Sequence, residues 1–131
     1  MVNPYYNKST QAGIRAHYRY IADRVDLPIL LYNVPSRTGI AISPETCAVL
    51  SEHPRIVGIK EASSDIIKIA RIRRACGDDF TVWSGNDDAI VPAMSLGARG
   101  VISVLSNLCP TEAIAITNAC QAGDYHTAGL L

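Results

Sequence analysis

Lys60 is the residue of this sequence whose type and position most directly suggest chemistry. It lies near the end of an apolar run, RIVGIKEA at residues 55–62, which has the composition of a buried strand. An amine held in an apolar pocket loses solvation of its charged form, so its pKa falls and it can attack a carbonyl to form a Schiff base. A lysine at a strand end can equally extend to solvent or pair with a neighbour such as Glu61. The run alone leaves both interpretations open.

Further candidate residues accompany a second apolar run, LPILLYNV at residues 27–34. The hydroxyl of Tyr32 can act as a proton relay beside an amine, although tyrosines in strands are more often core residues. Arg37 follows in the loop segment YNVPSRTG, where a guanidinium can hold a substrate carboxylate or simply remain a solvated charge. Tyr5 and Tyr6 are adjacent in the segment PYYN, and neighbouring tyrosines usually serve packing or an interface.

The elements that must position these residues alternate between strand and helix patterns. Four runs rich in β-branched or aromatic residues occupy residues 27–34, 55–62, 79–85 and 99–105. Helical periodicity covers residues 10–25 and recurs after each run, with start signals such as Ser43 followed by Pro44 and a serine cap before Asp65. The helix in NDDAIVPAMSLG is weaker, because its proline must lie in the first turn or kink the helix. This alternation predicts right-handed crossovers and a parallel sheet covered on both faces.

Two α/β architectures fit this pattern. One is a small open doubly wound sheet, and the other is part of a (βα)8 barrel, which typically needs ~250 residues. The length of 131 residues by itself favours the first. In both, ligands bind at the carboxyl ends of the strands. The polar residues of the runs cluster at those ends, which predicts a site there: Tyr32, Asn33, Lys60, Glu61, Ser84, Gly85, Asn86 and Ser103.

Composition narrows the class of partner. Twelve basic and twelve acidic side chains leave no net charge, which argues against a nucleic acid or an anionic membrane surface and favours a small molecule. No stretch reaches the ~18 apolar residues of a membrane span, and the segment MVNPYYNKSTQ lacks the apolar middle of a signal peptide. We therefore expect a cytoplasmic enzyme or binding protein. The scattered cysteines predict buried free thiols and no metal site: Cys47, Cys76, Cys109 and Cys120.

Five motifs, taken in order, carry a family resemblance: NPYYNKSTQ, LPILLYNVPSRTG, IVGIKEASSD, VWSGNDD and GARGVISV. They closely resemble the dihydrodipicolinate synthase family of the class I pyruvate-dependent aldolase superfamily, which also includes N-acetylneuraminate lyase. The resemblance covers essentially the whole chain. It implies a (βα)8 barrel lyase that condenses pyruvate with L-aspartate 4-semialdehyde in the diaminopimelate route to lysine.

The resemblance assigns the catalytic roles. Lys60 would form the Schiff base with pyruvate, so no separate cofactor is expected, and Tyr32 would be the proton relay. Tyr6 would complete that relay across a tight interface, which implies a homo-oligomer. Tyr5 matches a position near the feedback site for lysine in regulated members of the family.

The resemblance also assigns substrate contacts. Arg37 matches the arginine that receives the semialdehyde carboxylate, and Gly85 and Ile102 match main-chain positions that line the pyruvate pocket. The alternative enzyme is another pyruvate-dependent aldolase, such as an N-acetylneuraminate or 2-keto-3-deoxy sugar acid lyase, and Arg37 argues against it. The non-enzyme alternative is a truncated, non-catalytic product.

One departure from the family is large. Members carry a Gly-Thr-Thr-Gly-Glu-like motif that binds the pyruvate carboxylate, and no such motif occurs in this sequence. We therefore expect residues 1–131 to form a single partial barrel domain, roughly units five to eight, without the N-terminal units and the C-terminal helical region. A half barrel of this kind would expose its inner face and leave strand edges unpaired.

Overall fold

A computed structural model describes all residues, 1–131. The strands are β1 (Ile29–Asn33), β2 (Ile56–Glu61) and β3 (Thr81–Ser84). The helices are α1 (Gln11–Ala22), α2 (Pro35–Thr38), α3 (Pro44–Ser51), α4 (Ile67–Cys76), α5 (Ile90–Ser95), α6 (Pro110–Gln121) and α7 (Tyr125–Ala128), and short 3-10 helices span Asp87–Ala89 and Leu105–Asn107. None of the helices has the length and apolar character needed to cross a lipid bilayer.

The three strands form one parallel sheet in the order β1-β2-β3. Tyr32 lies opposite Lys60, and Lys60 lies opposite Trp83. Each edge is extended by a single parallel bridge, from Val2 to Tyr32 and from Ser84 to Val101. The parallel sheet predicted from the alternation of strand and helix is therefore confirmed.

The prediction of a fourth regular strand at residues 99–105 is wrong. Backbone hydrogen bonds join only residues 99–102 to β3, and the last of them runs from the N–H of Ile102 to the carbonyl of Ser84 at 2.9 Å. Beyond it, the N–H groups of Val104 and Leu105 are taken by the carboxylate of Asp87. These donors cannot also join a strand ladder, so the chain turns into a 3-10 helix.

The two faces of the sheet have different surroundings. One face carries Leu31, Ile59 and Val82, which are at most 1% exposed and belong to the same apolar core as residues of α1, α3 and α4. The opposite face carries Tyr32 and Lys60, which are only partly buried. The prediction of a sheet covered on both faces is therefore wrong for this chain. An open face is what the resemblance to part of a barrel leads one to expect.

The helix starts follow most of the sequence signals. Ser43 caps α3 by accepting from the N–H of Thr46 at 3.2 Å, with Pro44 as the first helical residue. Pro92 lies in the first turn of α5, where its missing N–H costs nothing. The predicted serine cap of α4 is wrong: Ile66 occupies the cap position with helical backbone angles and provides no side-chain cap.

Candidate active site

Lys60 and Tyr32 lie side by side on the open face of the sheet, on paired strands. The Nζ atom of Lys60 is 4.8 Å from the centroid of the Tyr32 ring, within the range of a cation–π contact. The ring face attracts a positive charge at this position, whether an ammonium or an iminium. The structure thus brings together the amine and the tyrosine that the sequence singled out.

Gly85 allows the main chain after β3 to pack directly against Lys60. A Cβ atom at this position would lie 2.9 Å from Cε of Lys60 and 2.5 Å from Cβ of Ala62, closer than side-chain carbons normally approach. The N–H of Gly85 also donates to the carbonyl of Glu61 at 2.7 Å, which fixes the approach. A glycine is therefore required for this contact, and the third strand end joins the site.

Glu61 points away from Lys60. Consecutive strand residues face opposite sides of a sheet, and the Glu61 side chain lies on the covered face, where the residue is 3% exposed. Its carboxylate accepts from the amide of Asn33 at 2.7 Å and from the N–H of Ser63 at 2.7 Å, while the Asn33 oxygen accepts from the N–H of Ile42. A Lys60–Glu61 ion pair is excluded by this geometry, and Glu61 has a structural role.

Ile102 and Arg37 lie at the same end of the sheet but do not contact Lys60 through any described interaction. The main chain of Ile102 is fixed by its hydrogen bond to Ser84, and the residue is 37% exposed. Arg37 lies in the last turn of α2, directly after β1, with an exposed side chain that forms no ion pair. Its guanidinium is free to meet a ligand at this edge.

Tyr5 and Tyr6 are not brought to Lys60. They are 61% and 94% exposed, and they line a separate cleft of about 360 Å³ with Asn3 and His17. Nothing within this chain covers the Tyr6 side chain. A role in the relay would therefore require another chain or segment to bring it to the site.

A larger cleft of about 630 Å³ opens at the carboxyl edge of the sheet. It is lined by residues that follow all three strands, among them Ser36 of α2 and the loop residues Ser63 and Asn86, but not by Lys60. The segments that follow the three strands thus line one cleft at this edge of the sheet. The structure contains no group of three or more His, Cys, Asp or Glu side chains placed to hold a metal ion.

Asp87 is the residue of this region that the sequence pattern did not single out. Its Oδ2 atom accepts from the N–H groups of Val104 and Leu105, both at 3.0 Å. Partial burial acts to raise the pKa of Asp87, but the contacts of Ser103 and of these N–H groups, together with the charge of Lys60, lower it overall. An acidic residue after SGN indicates only a helix start, and the partner segment is invisible in a local pattern.

The four cysteines are free thiols, as predicted. Cys47 and Cys120 are buried, whereas Cys76 and Cys109 are partly exposed, so the prediction of burial is confirmed for only two of them. Burial raises the pKa of the Cys47 thiol. Neither buried thiol lies among the residues around Lys60.

Comparison with solved structures identifies the class of protein to which this fold belongs. The chain superposes on the crystal structure of dihydrodipicolinate synthase from Aquifex aeolicus with a TM-score of 0.94 and 44% identity, covering 97% of this chain and 44% of that one. It matches the Acinetobacter baumannii dihydrodipicolinate synthase complexed with pyruvate at a TM-score of 0.94 and 42% identity, covering 98% and 44%. The fold is that of part of a (βα)8 barrel.

Sequence comparison then gives the family. The model of the dihydrodipicolinate synthetase family matches residues 1–131, and the chain belongs to this family. The chain is 55% identical over 128 residues to a 4-hydroxy-tetrahydrodipicolinate synthase of an Exiguobacterium species, covering 98% of this chain and 44% of that protein. This chain therefore spans less than half the length of the relatives that it matches.

Proposed function

We propose that this chain is the lysine-bearing part of a synthase that condenses pyruvate with L-aspartate 4-semialdehyde to 4-hydroxy-tetrahydrodipicolinate. The observation that carries the proposal is the placement of Lys60 on the open face of the sheet, at the carboxyl end of β2, between the Tyr32 ring and the Gly85 main chain. The names of the relatives support the reaction, which serves lysine biosynthesis through diaminopimelate.

The chemistry begins with the Lys60 amine. It attacks the ketone carbon of pyruvate, and loss of water gives a protonated Schiff base. Loss of a proton from the adjacent methyl group gives an enamine, whose carbon attacks the aldehyde of the second substrate. The covalent lysine adduct itself is the electron sink, so the reaction needs no separate cofactor.

The other residues receive supporting roles in this proposal. Tyr32 relays protons to and from the intermediates, and Tyr6 completes the relay from a neighbouring chain of a homo-oligomer. Arg37 binds the carboxylate of the semialdehyde as a bidentate guanidinium donor. Gly85 and Ile102 supply main-chain groups to the pyruvate pocket.

The chain accounts for roughly units five to eight of the barrel in this proposal. The open sheet face then faces the remaining units of a longer protein, acting in the cytoplasm. Those units would supply the missing Gly-Thr-Thr-Gly-Glu-like motif, whose threonine links the two tyrosines and whose loop binds the pyruvate carboxylate. Tyr5 matches a position near the lysine feedback site of regulated members. The open face also favours a second candidate function, a truncated chain that associates with a full-length one and performs no chemistry.

Reductive trapping tests the proposal. The intact chain is incubated with pyruvate and borohydride, and the modified residue is identified by peptide mass spectrometry. We expect one pyruvyl adduct, at Lys60, and none in a Lys60→Arg variant, which retains the charge. Absence of the adduct from the unsubstituted chain contradicts catalysis by this chain and supports the non-catalytic candidate. An adduct without consumption of aspartate semialdehyde assigns the chain to another pyruvate-dependent aldolase or shows that the relay is incomplete.

A further inference from the structure

Asp87 links the two main-chain segments that approach the carboxyl end of β3. It lies two residues after Gly85, whose main chain packs on the stem of Lys60. Its carboxylate accepts from the N–H groups of Val104 and Leu105, which follow Ile102. A single side chain therefore connects the segment against Lys60 with the segment that carries Ile102.

This connection replaces the missing part of the fourth strand. The last backbone bond of the sheet at this edge runs from the N–H of Ile102 to the carbonyl of Ser84. After it, Asp87 accepts from the N–H groups of Val104 and Leu105, and Ser103 Oγ accepts from the N–H of Ser106 at 2.8 Å. Hydrogen bonds to a carboxylate are about twice as strong as neutral ones, so this tether is a strong one.

The neighbouring acidic residue has a different environment. Asp88 belongs to the same 3-10 helix, but its side chain is exposed and forms no ion pair. It forms no hydrogen bond to the segment after Ile102. Of these two neighbouring aspartates, only Asp87 binds the segment after Ile102, so Asp88 can serve as its control.

We propose that Asp87 is a positioning residue that fixes the Gly85 and Ile102 main chains relative to Lys60 and thereby shapes the pyruvate pocket. The inference rests on the proposed function for its catalytic meaning, and on the hydrogen bonds of Asp87 for its geometry. Pyruvate would bind less well without the tether, because the main-chain groups that line its pocket would no longer be held in place.

The test compares Asp87→Ala, Asp87→Asn and Asp88→Ala. Hydrogen exchange of the Val104 and Leu105 amides is followed by NMR, and the pyruvate concentration for half-maximal trapping is measured by the borohydride assay. In Asp87→Ala we expect at least about a tenfold loss of protection at both amides and about a tenfold rise in the half-saturating pyruvate concentration. Asp87→Asn, which keeps an acceptor oxygen but no charge, should lie in between, and Asp88→Ala should match the unsubstituted chain.

The outcomes separate the inference from the function on which it rests. If the unsubstituted chain forms no adduct, the proposed function fails and the positioning role fails with it. If it forms the adduct but the Asp87 variants keep the same half-saturating concentration, Asp87 is merely structural and the inference is overturned. Unchanged amide protection in Asp87→Ala, or an equal effect of Asp88→Ala, overturns it as well.

Discussion

Lys60 and Glu61 are consecutive residues of one strand, yet they occupy opposite environments. Glu61 is buried on the covered face, where its carboxylate accepts hydrogen bonds from Asn33 and Ser63. Lys60 lies on the open face, where the Tyr32 ring and the Gly85 main chain contact it but no carboxylate pairs with it. The comparison shows that one face of the sheet is packed into the core, while the other leaves the Lys60 amine and the Tyr32 ring partly exposed.

The largest expected effect is on the covered face. Ile59 is fully buried, so Ile59→Ala should reduce the free energy of unfolding by about 2–5 kcal/mol through lost burial and the cavity left behind. Lys60→Ala, one residue along on the open face, should cost less than about 1 kcal/mol, since it opens no cavity in the core. Urea unfolding followed by circular dichroism measures both. Equal losses would contradict the division of roles between the two faces.

A smaller loss is expected when Glu61 is removed. Glu61→Ala leaves the amide of Asn33 and the N–H of Ser63 without their acceptor in a buried setting, which should cost about 1–3 kcal/mol. The control is Glu52→Ala, because Glu52 is exposed and forms only a surface pair with Arg19, worth under about 1 kcal/mol. The same urea titration compares them. A Glu61 variant as stable as the Glu52 variant would show that the buried network contributes nothing.

The difference between the faces also explains which features could be predicted from the sequence. The first three strands, the crossovers and the cap at Ser43 depend on local composition and on the period of the apolar residues, so the sequence pattern was sufficient to predict them. An apolar run does not reveal which face of its strand is covered, because the segments that pack against that face are distant in the sequence. The shortened fourth strand and the contacts of Asp87 were missed for the same reason. Both depend on hydrogen bonds from Asp87 to Val104 and Leu105, which are 17 and 18 positions away in the sequence.

The motif residues were predicted with unequal success for a related reason. Lys60, Tyr32 and Gly85 converge because strand register alone determines their spacing. Tyr6 is 94% exposed and is not brought to Lys60 by the fold of residues 1–131, so its proposed role in the relay would need a surface outside this chain. The residues that a sheet positions are thus more predictable than those that an assembly positions.

The smallest expected effect is on the stability of the folded chain in acid, through the carboxylate of Asp87 beyond the carboxyl end of β3. The pKa of Asp87 is lowered in the folded chain, so its carboxylate contributes stability at pH values above its ordinary, unfolded pKa. This contribution should diminish as the pH falls through the unfolded pKa toward the lower, folded one, because the protonated carboxyl binds the Val104 and Leu105 N–H groups less strongly. Unfolding midpoints of the unsubstituted chain and of Asp87→Asn, measured between neutral and strongly acidic pH, should therefore converge on the acid side. Asp88→Asn should track the unsubstituted chain throughout. A gap between the unsubstituted chain and Asp87→Asn that stays constant from neutral to acidic pH would mean that the tether does not depend on the charge of Asp87.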